Sequence, residues 1–419
     1  MYKKNNIEIL ALKAMENCKE VFDGFEKIAE HNQKKMLKAF IDSKISERHI
    51  NCCTSGYGYE DIGRDALDSL YAKYFKAESA LVRQSFVSGT HAITVALFSM
   101  LRPGDEFLCI TGEIYDTLKG VIGGFKSFKN KVNGSLKDFN ISYDQLDLTK
   151  SGHINFDEIK NKIKKDTKVV YIQKSKGYSL RPAVTCKEIN KAVDIIKNIK
   201  NNCVILVDNC YGEFAEEYEP TFVGADLAVG SLIKNPGGGI AKSGGYIVGK
   251  KKLVDMCAGE LTIPGMGKDI GCSLGNIRDL FLGFFCAPSV VKEALKVATF
   301  ASSLFELLGY KVFPKYNEYR ADIVTAIVLK NRQNLIKFCQ AIQNYSPIDS
   351  FLTLEPWKMP GYNDEIIMAS GAFTSGSSIE ISADAPLREP FAVYFQGGLN
   401  FYSGKTAVIK AAEKILKTD

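Results

Sequence analysis

Between residues 64 and 76, apolar side chains recur at Leu67, Leu70, Tyr71, Tyr74 and Phe75. That i, i+3, i+4, i+7, i+8 spacing predicts an amphipathic helix. Residues 7–50 read as a helical, more charged stretch. From about 79 to 250 the pattern changes to short apolar runs at 80–82, 106–110, 169–173, 204–208, 227–230 and 246–248. Helical stretches separate them, such as 187–200, where Ile189, Ala192, Val193 and Ile196 mark one face. Strands alternating with helices predict an α/β fold with a largely parallel sheet. A glycine-rich linker lies near 259–276, and a long helix is expected over about 288–308, closed by Gly309 at C′. The remainder mixes strands and helices. The expected organisation is a helical arm over 1–60, a large domain over 61–285 and a smaller α+β C-terminal domain over 286–419.

Composition changes this picture little. The chain has 419 residues, 46% of them hydrophobic and 24% charged, ordinary globular values that need no disulfide or metal staple. The net charge of +6 is spread mainly as lysine, with no dense basic block, so nucleic-acid binding is weakly supported. Eleven cysteines form no C-x-x-C pair, four histidines form no H-E-x-x-H, and metal catalysis is not expected. With no signal core and no apolar run of membrane-spanning length, the expected setting is a reducing cytoplasm.

Three segments carry candidate chemistry. Ser88-Gly89-Thr90-His91-Ala92 opens a strongly apolar helix. The first amides of a helix lack internal partners and sit at the positive end of its dipole, so this start suits a phosphate; a plain N-cap uses the same residues. Asp208 ends the run 204–208, at the edge where α/β sheets bind ligands. It suits a magnesium ion, a ribose or a cationic ring nitrogen, or equally a turn cap. Lys234 follows an apolar run and precedes Asn235-Pro236-Gly237-Gly238-Gly239. A lysine in apolar surroundings becomes a nucleophile, whereas a solvated lysine is merely surface. One ligand unites the three: pyridoxal phosphate, with its phosphate on the Ser88 segment, its ring nitrogen on Asp208 and its aldehyde on Lys234. Tyr115 is the candidate to stack on the ring, unless it is a surface-turn tyrosine.

With these residues in place, the sequence resembles fold-type I pyridoxal-phosphate enzymes. More narrowly, it resembles the methionine γ-lyase/cystathionine β-lyase group, in the branch named for aluminium resistance. The resemblance runs from about residue 50 to the C-terminus. It is carried by Gly56-Tyr57-Gly58-Tyr59-Glu60-Asp61-Ile62-Gly63-Arg64, Val87-Ser88-Gly89-Thr90-His91-Ala92, Arg102-Pro103-Gly104-Asp105-Glu106, Ser231-Leu232-Ile233-Lys234-Asn235-Pro236-Gly237-Gly238-Gly239 and Gln396-Gly397-Gly398-Leu399. It implies Lys234 as the Schiff-base lysine and proton carrier, and Asp208 as the partner that keeps the ring nitrogen protonated. Tyr115 would stack on the ring and protonate the leaving sulfur. Ser88, Gly89, Thr90 and Ser231 would hold the phosphate, and Arg388 would fork onto the substrate α-carboxylate. It also implies a homodimer or homotetramer with sites at subunit interfaces.

The sequence departs from that pattern in places. Tyr57-Gly58-Tyr59 stands where the wider group has Tyr-x-Arg, which leaves Tyr57 as the candidate for a neighbouring subunit's phosphate and Tyr59 as a candidate substrate contact. Lys234 is followed by Asn-Pro-Gly. The segment Gln173-Lys174-Ser175-Lys176-Gly177-Tyr178-Ser179-Leu180-Arg181 also differs, and reads as a substrate-contact segment or as an ordinary basic loop. The expected reaction is β- or γ-elimination of a thiol from a sulfur-containing amino acid, giving a 2-oxo acid and ammonia. The rivals are transamination, racemisation or γ-replacement, a non-catalytic binding protein of this fold, and a nucleotide-binding α/β protein. The last lacks both G-x-x-x-x-G-K-[ST] and G-x-G-x-x-G.

Overall fold

The computed structural model describes residues 2–124 and 134–417. Helices α1 (Tyr2–Asp42), α2 (Glu47–Ile50) and α3 (Ile62–Tyr74) come first. There follow β1 (Ser79–Arg83), α4 (Gly89–Met100), β2 (Glu106–Cys109), α5 (Lys119–Ile122), β3 (Ser142–Gln145), α6 (Ile159–Lys162), β4 (Thr167–Gln173), α7 (Cys186–Ile199), β5 (Val204–Asp208), β6 (Leu227–Ser231) and β7 (Gly245–Gly249). These strands form one sheet in the order β1-β7-β6-β5-β4-β2-β3. Every pairing is parallel except those of β7, which runs antiparallel to β1 and β6.

Burial explains the strand sequences. Val204, Ile205, Leu206 and Val207 of β5 are all buried, as a strand covered on both faces requires. β3 was not visible as an apolar run because Ser142, Tyr143, Asp144 and Gln145 lie at the sheet edge and are only partly covered. Helix α7 starts where its sequence says it must. Thr185 Oγ1 accepts from Glu188 N (3.1 Å), and Glu188 Oε2 accepts from Thr185 N (2.9 Å), a reciprocal capping box.

Beyond β7 lie α8 (Lys251–Leu261), α9 (Ile277–Leu307), β8 (Lys311–Phe313), β9 (Thr325–Val328), α10 (Arg332–Asn344), β10 (Ile366–Ala369), β11 (Ser382–Pro386), β12 (Ala392–Gln396) and α11 (Phe401–Leu416). Their five strands form a second, antiparallel sheet, ordered β10-β11-β12-β9-β8. Helix α9 begins about three turns earlier than its pattern indicates and carries Pro288 inside it. The buried Ile277, Leu280, Phe281 and Phe284 hold that first part in place despite the donor that proline removes. The helix closes as expected, with Gly309 at φ +81°. The position expected for a boundary, near 285, falls within this continuous helix. Helix α1 packs along α9. Ala11 and Ala14 join the core of the second sheet, while Phe25, Met36 and Ala39 join the core beneath α3 and β7. Among the described residues, no helix is long and apolar enough to cross a membrane.

Candidate active site

The site lies at the C-terminal edge of the parallel strands. Asp208 ends β5, paired with Gln173 on β4 and Val229 on β6. Its carboxylate is fixed from two sides. Tyr171 Oη donates to Oδ2 (3.1 Å), and the amide of Cys210 donates to Oδ1 (3.1 Å). Lys234 follows β6 by one turn. Its Nζ stands 4.0 Å from the centre of the Tyr211 ring, a cation–π contact. Burial works against the charged amine, but Cys210, Tyr211, Asp208 and Glu213 outweigh it and hold the ammonium above its ordinary range.

At the start of α4, Ser88 Oγ accepts from His91 N (3.1 Å) and caps the helix. The capping and phosphate readings are therefore compatible, because the amides of Gly89 and Thr90 belong to the first turn, whose donors have no partner within a helix. Gly89 lets this turn pack closely on the ends of β5 and β6: a Cβ at this position would meet Cys210 Sγ at 3.0 Å and Ser231 Cβ at 3.2 Å. Thr90 Oγ1 lies 2.8 Å from Thr117 Oγ1, which ties this turn to the segment carrying Tyr115. The Tyr115 ring packs edge-to-face on Tyr178 (5.4 Å), and its hydroxyl lies 3.5 Å from that of Tyr362. Burial pushes the Tyr115 phenol well up, so it holds its proton at neutral pH.

The structure thus gathers Ser88, Gly89, Thr90, Tyr115, Asp208, Ser231 and Lys234 around one place. Arg388 borders a small cavity together with Tyr115, whereas Tyr57 and Tyr59 do not line it. The Arg388 fork is engaged, with Nη1 2.7 Å from Asp364 and Nη2 3.6 Å from Asp116. Tyr57 and Tyr59 are 65% and 55% exposed and stack on each other at 5.6 Å. Among the described residues, neither makes a hydrogen bond or ring contact with Lys234, Asp208 or Tyr115.

Residues not singled out in the sequence complete the surroundings. Tyr211 adopts φ +70° and bonds Ser378 Oγ through its hydroxyl (3.1 Å). Glu213 is fully buried. It accepts from Tyr246 Oη (2.9 Å), and burial, reinforced by Glu219, pushes its carboxyl up to about 8. Its backbone carbonyl accepts from Asn235 Nδ2 (2.9 Å), the residue after Lys234. Asp384 on β11 accepts from Tyr178 Oη (3.1 Å), a residue of the 173–181 segment already noted as a candidate substrate contact. Of these, Tyr211 and Glu213 could have been suspected from their place just after Asp208; Asp384 carries no local signal.

The sheet order, with its site at the strand edge, is that of the fold-type I class, the fold of many pyridoxal-phosphate enzymes. The same fold is seen in yeast cystathionine gamma-lyase, which is 16% identical, with 85% of this chain and 86% of that one covered at a TM-score of 0.57. The methionine gamma-lyase family model matches residues 7–416, and the chain belongs to that family. It is 46% identical to the uncharacterized protein YnbB of Bacillus subtilis (strain 168) over 98% of this chain and 97% of YnbB. It is 47% identical to a solved carbon-sulfur lyase involved in aluminum resistance from Clostridium novyi NT, with 98% of this chain and 96% of that one covered at a TM-score of 0.93. Family and neighbours together point to a lyase.

Proposed function

We propose that the protein is a pyridoxal-phosphate-dependent carbon–sulfur lyase acting on a sulfur-containing amino acid. The observation that carries this reading is one constellation. A lysine amine, a strand-end carboxylate fixed by two donors and a helix start packed closely on the strand ends through Gly89 meet at a single sheet edge. These residues fit the cofactor: Gly89, Thr90 and Ser231 for its phosphate, with Ser88 shaping the turn, Asp208 for its ring nitrogen, Lys234 for its aldehyde and Tyr115 for its face. Bound there, pyridoxal phosphate supplies an electron sink for the carbanion formed at the substrate α-carbon.

The chain's own residues then handle protons and orientation. Asp208 holds a proton on the ring nitrogen. Lys234 would take the α-proton and return it further along the substrate. Tyr115, protonated at neutral pH, delivers a proton to the departing sulfur. Thiol, 2-oxo acid and ammonia leave, with one water consumed. Arg388 takes the α-carboxylate by exchanging the 3.6 Å contact to Asp116 while keeping Asp364. Helix α9 is the shared wall between a large domain around the first sheet and a small domain around the second. Tyr57 and Tyr59 reach the site of a second copy in a dimer or tetramer.

The test is spectroscopic. Purified protein with added pyridoxal phosphate should show a visible absorption band that borohydride bleaches, with mass spectrometry placing the reduced group on Lys234. Lys234→Ala should lose both the band and thiol release. No band in the wild type would sink the reading.

A further inference from the structure

Beside Tyr115 lies a small cavity of about 90 Å³, bounded by Gln173, Lys176, Tyr178, Arg181 and Arg388. Two of its cations are almost wholly covered: Lys176 is 2% and Arg181 7% exposed. Their hydrogen bonds go to neutral backbone oxygens. Lys176 Nζ donates to Phe313 O (2.9 Å), and the Arg181 guanidinium donates to Gln173 O (2.7 Å) and Pro182 O (2.8 Å). Among the described residues, neither forms an ion pair with a carboxylate. A buried acid close by, Asp322, is shared with Arg320, and its oxygens accept from the amides of Lys176 (3.2 Å) and Val324 (3.1 Å). Lys176, Arg181 and Arg320, all buried, thus share Asp322. Carbonyl oxygens satisfy N–H groups but do not neutralise charge, and buried charge without a counter-ion is costly. The Lys176 ammonium shows that cost: burial first, then Arg320 and Arg181, pull it down to about 8. Two more acids, Glu113 and Asp116, also line the cavity; both are paired with Lys119 (2.7 Å each), and Asp116 lies 3.6 Å from Arg388 as well.

We propose that this cavity is an anion subsite in which Lys176 and Arg181 receive a carboxylate on the arm beyond the substrate's sulfur. The substrates are then amino-acid thioethers whose departing group is acidic, rather than those with a plain alkyl group. This rests on the lyase reading, because it is the placement of Tyr115 at the sulfur that makes the cavity the berth of the departing arm.

The test compares S-carboxymethyl-L-cysteine with S-ethyl-L-cysteine on cofactor-saturated wild-type protein and on Lys176→Met, reading kcat/KM from thiol release. A charge-assisted contact gives the wild type a preference for the acidic arm of about tenfold or more. That preference should fall to about threefold or less in Lys176→Met and be kept by Lys176→Arg. Equal use of both arms by the wild type overturns the proposal, and that comparison stands even if a variant fails to fold. Equal losses on both arms in Lys176→Met also overturn it. Calorimetric titration with (methylthio)acetate separates the subsite from the chemistry. If neither cysteine derivative releases thiol, yet the anion binds the wild type and not Lys176→Met, the subsite stands and the lyase reading falls. If thiol is released without discrimination, the lyase reading stands and the subsite falls. If there is neither release nor binding, both fall.

Discussion

Lys234 stands over the face of Tyr211, and Tyr211 is held there against its own backbone preference. A left-handed φ of +70° is uncommon for a bulky residue and persists only where the surroundings impose it. Here Ser378 holds the hydroxyl, and the Ile323 amide holds the carbonyl (3.2 Å). The ring is a cushion for the charged form of the amine when it is released from the cofactor, worth about 0.5–2 kcal/mol. Tyr211→Leu should therefore shift the basic limb of the pH–rate profile to lower pH, whereas Tyr211→Phe, which keeps the ring, should move it little. Identical profiles for wild type and Tyr211→Leu would refute the cushion. Glu213 gives a second prediction. Its folded pKa of about 8 lies above the ordinary glutamate value of 4.5, so between those values the folded protein retains a proton that the unfolded chain gives up. Its stabilising contribution is therefore present at low pH and is lost as pH rises towards 8. Thermal melts of Glu213→Gln and wild type from pH 5 to pH 8 should show the variant gaining on the wild type as pH rises; a constant gap would show that Glu213 is ionised throughout. Lys234, Asp208 and Ser88 were legible in the sequence because each marks an element's end, where local pattern and chemistry coincide. Tyr211 and Glu213 could be suspected from their place after Asp208, but their roles were not legible, because a cation–π contact and a buried carboxyl are made by tertiary packing. The partners of Arg388 were equally hidden, since one of them, Asp364, lies 24 residues upstream in a loop.

At the scale of elements, the turn after Lys234 rests on helix α9 by bare backbone. A Cβ on Gly283 would meet Gly237 O at 2.3 Å, and one on Gly238 would meet Gly283 O at 2.5 Å. The lysine turn and the helix can approach this closely only because both faces lack side chains. A Cβ on Gly239 would strike Leu399 at 2.3 Å, so the Gln396-Gly397-Gly398-Leu399 segment secures the same turn from the other side. Gly283→Ala should cost about 2–4 kcal/mol, as backbone overpacking in a core does, and should loosen Lys234. Denaturant unfolding and cofactor titration would read the two effects; wild-type values in both would mean the helix simply moves away. The elements of the first sheet were largely legible because their apolar runs are buried on both faces. The edge strand β3 was not, since a half-covered strand needs no apolar run. Nor was the first part of α9, where packing overrides the proline that local rules read as a helix start.

For the whole molecule, the proposed assembly gives the two exposed, stacked tyrosines a role in the site of a second copy. Wild-type protein should sediment as a dimer or larger. Lys234→Ala and Tyr57→Ala, each impaired alone, should regain activity when unfolded and refolded together, because a mixed dimer has one site with both residues native. Failure to recover would confine Tyr57 to its own subunit's surface.

The long contact between α1 and α9 has a consequence in time. More than 230 residues separate the end of α1 from the start of α9. At about 5–20 residues per second, a ribosome takes roughly 12–50 seconds to cover that distance. Through that interval the first helix made is a helix without its wall, its apolar stripe bare while the strands it will help to cover are still emerging. The arm that finally binds the two halves is therefore the part of the nascent chain most in need of a chaperone's shelter.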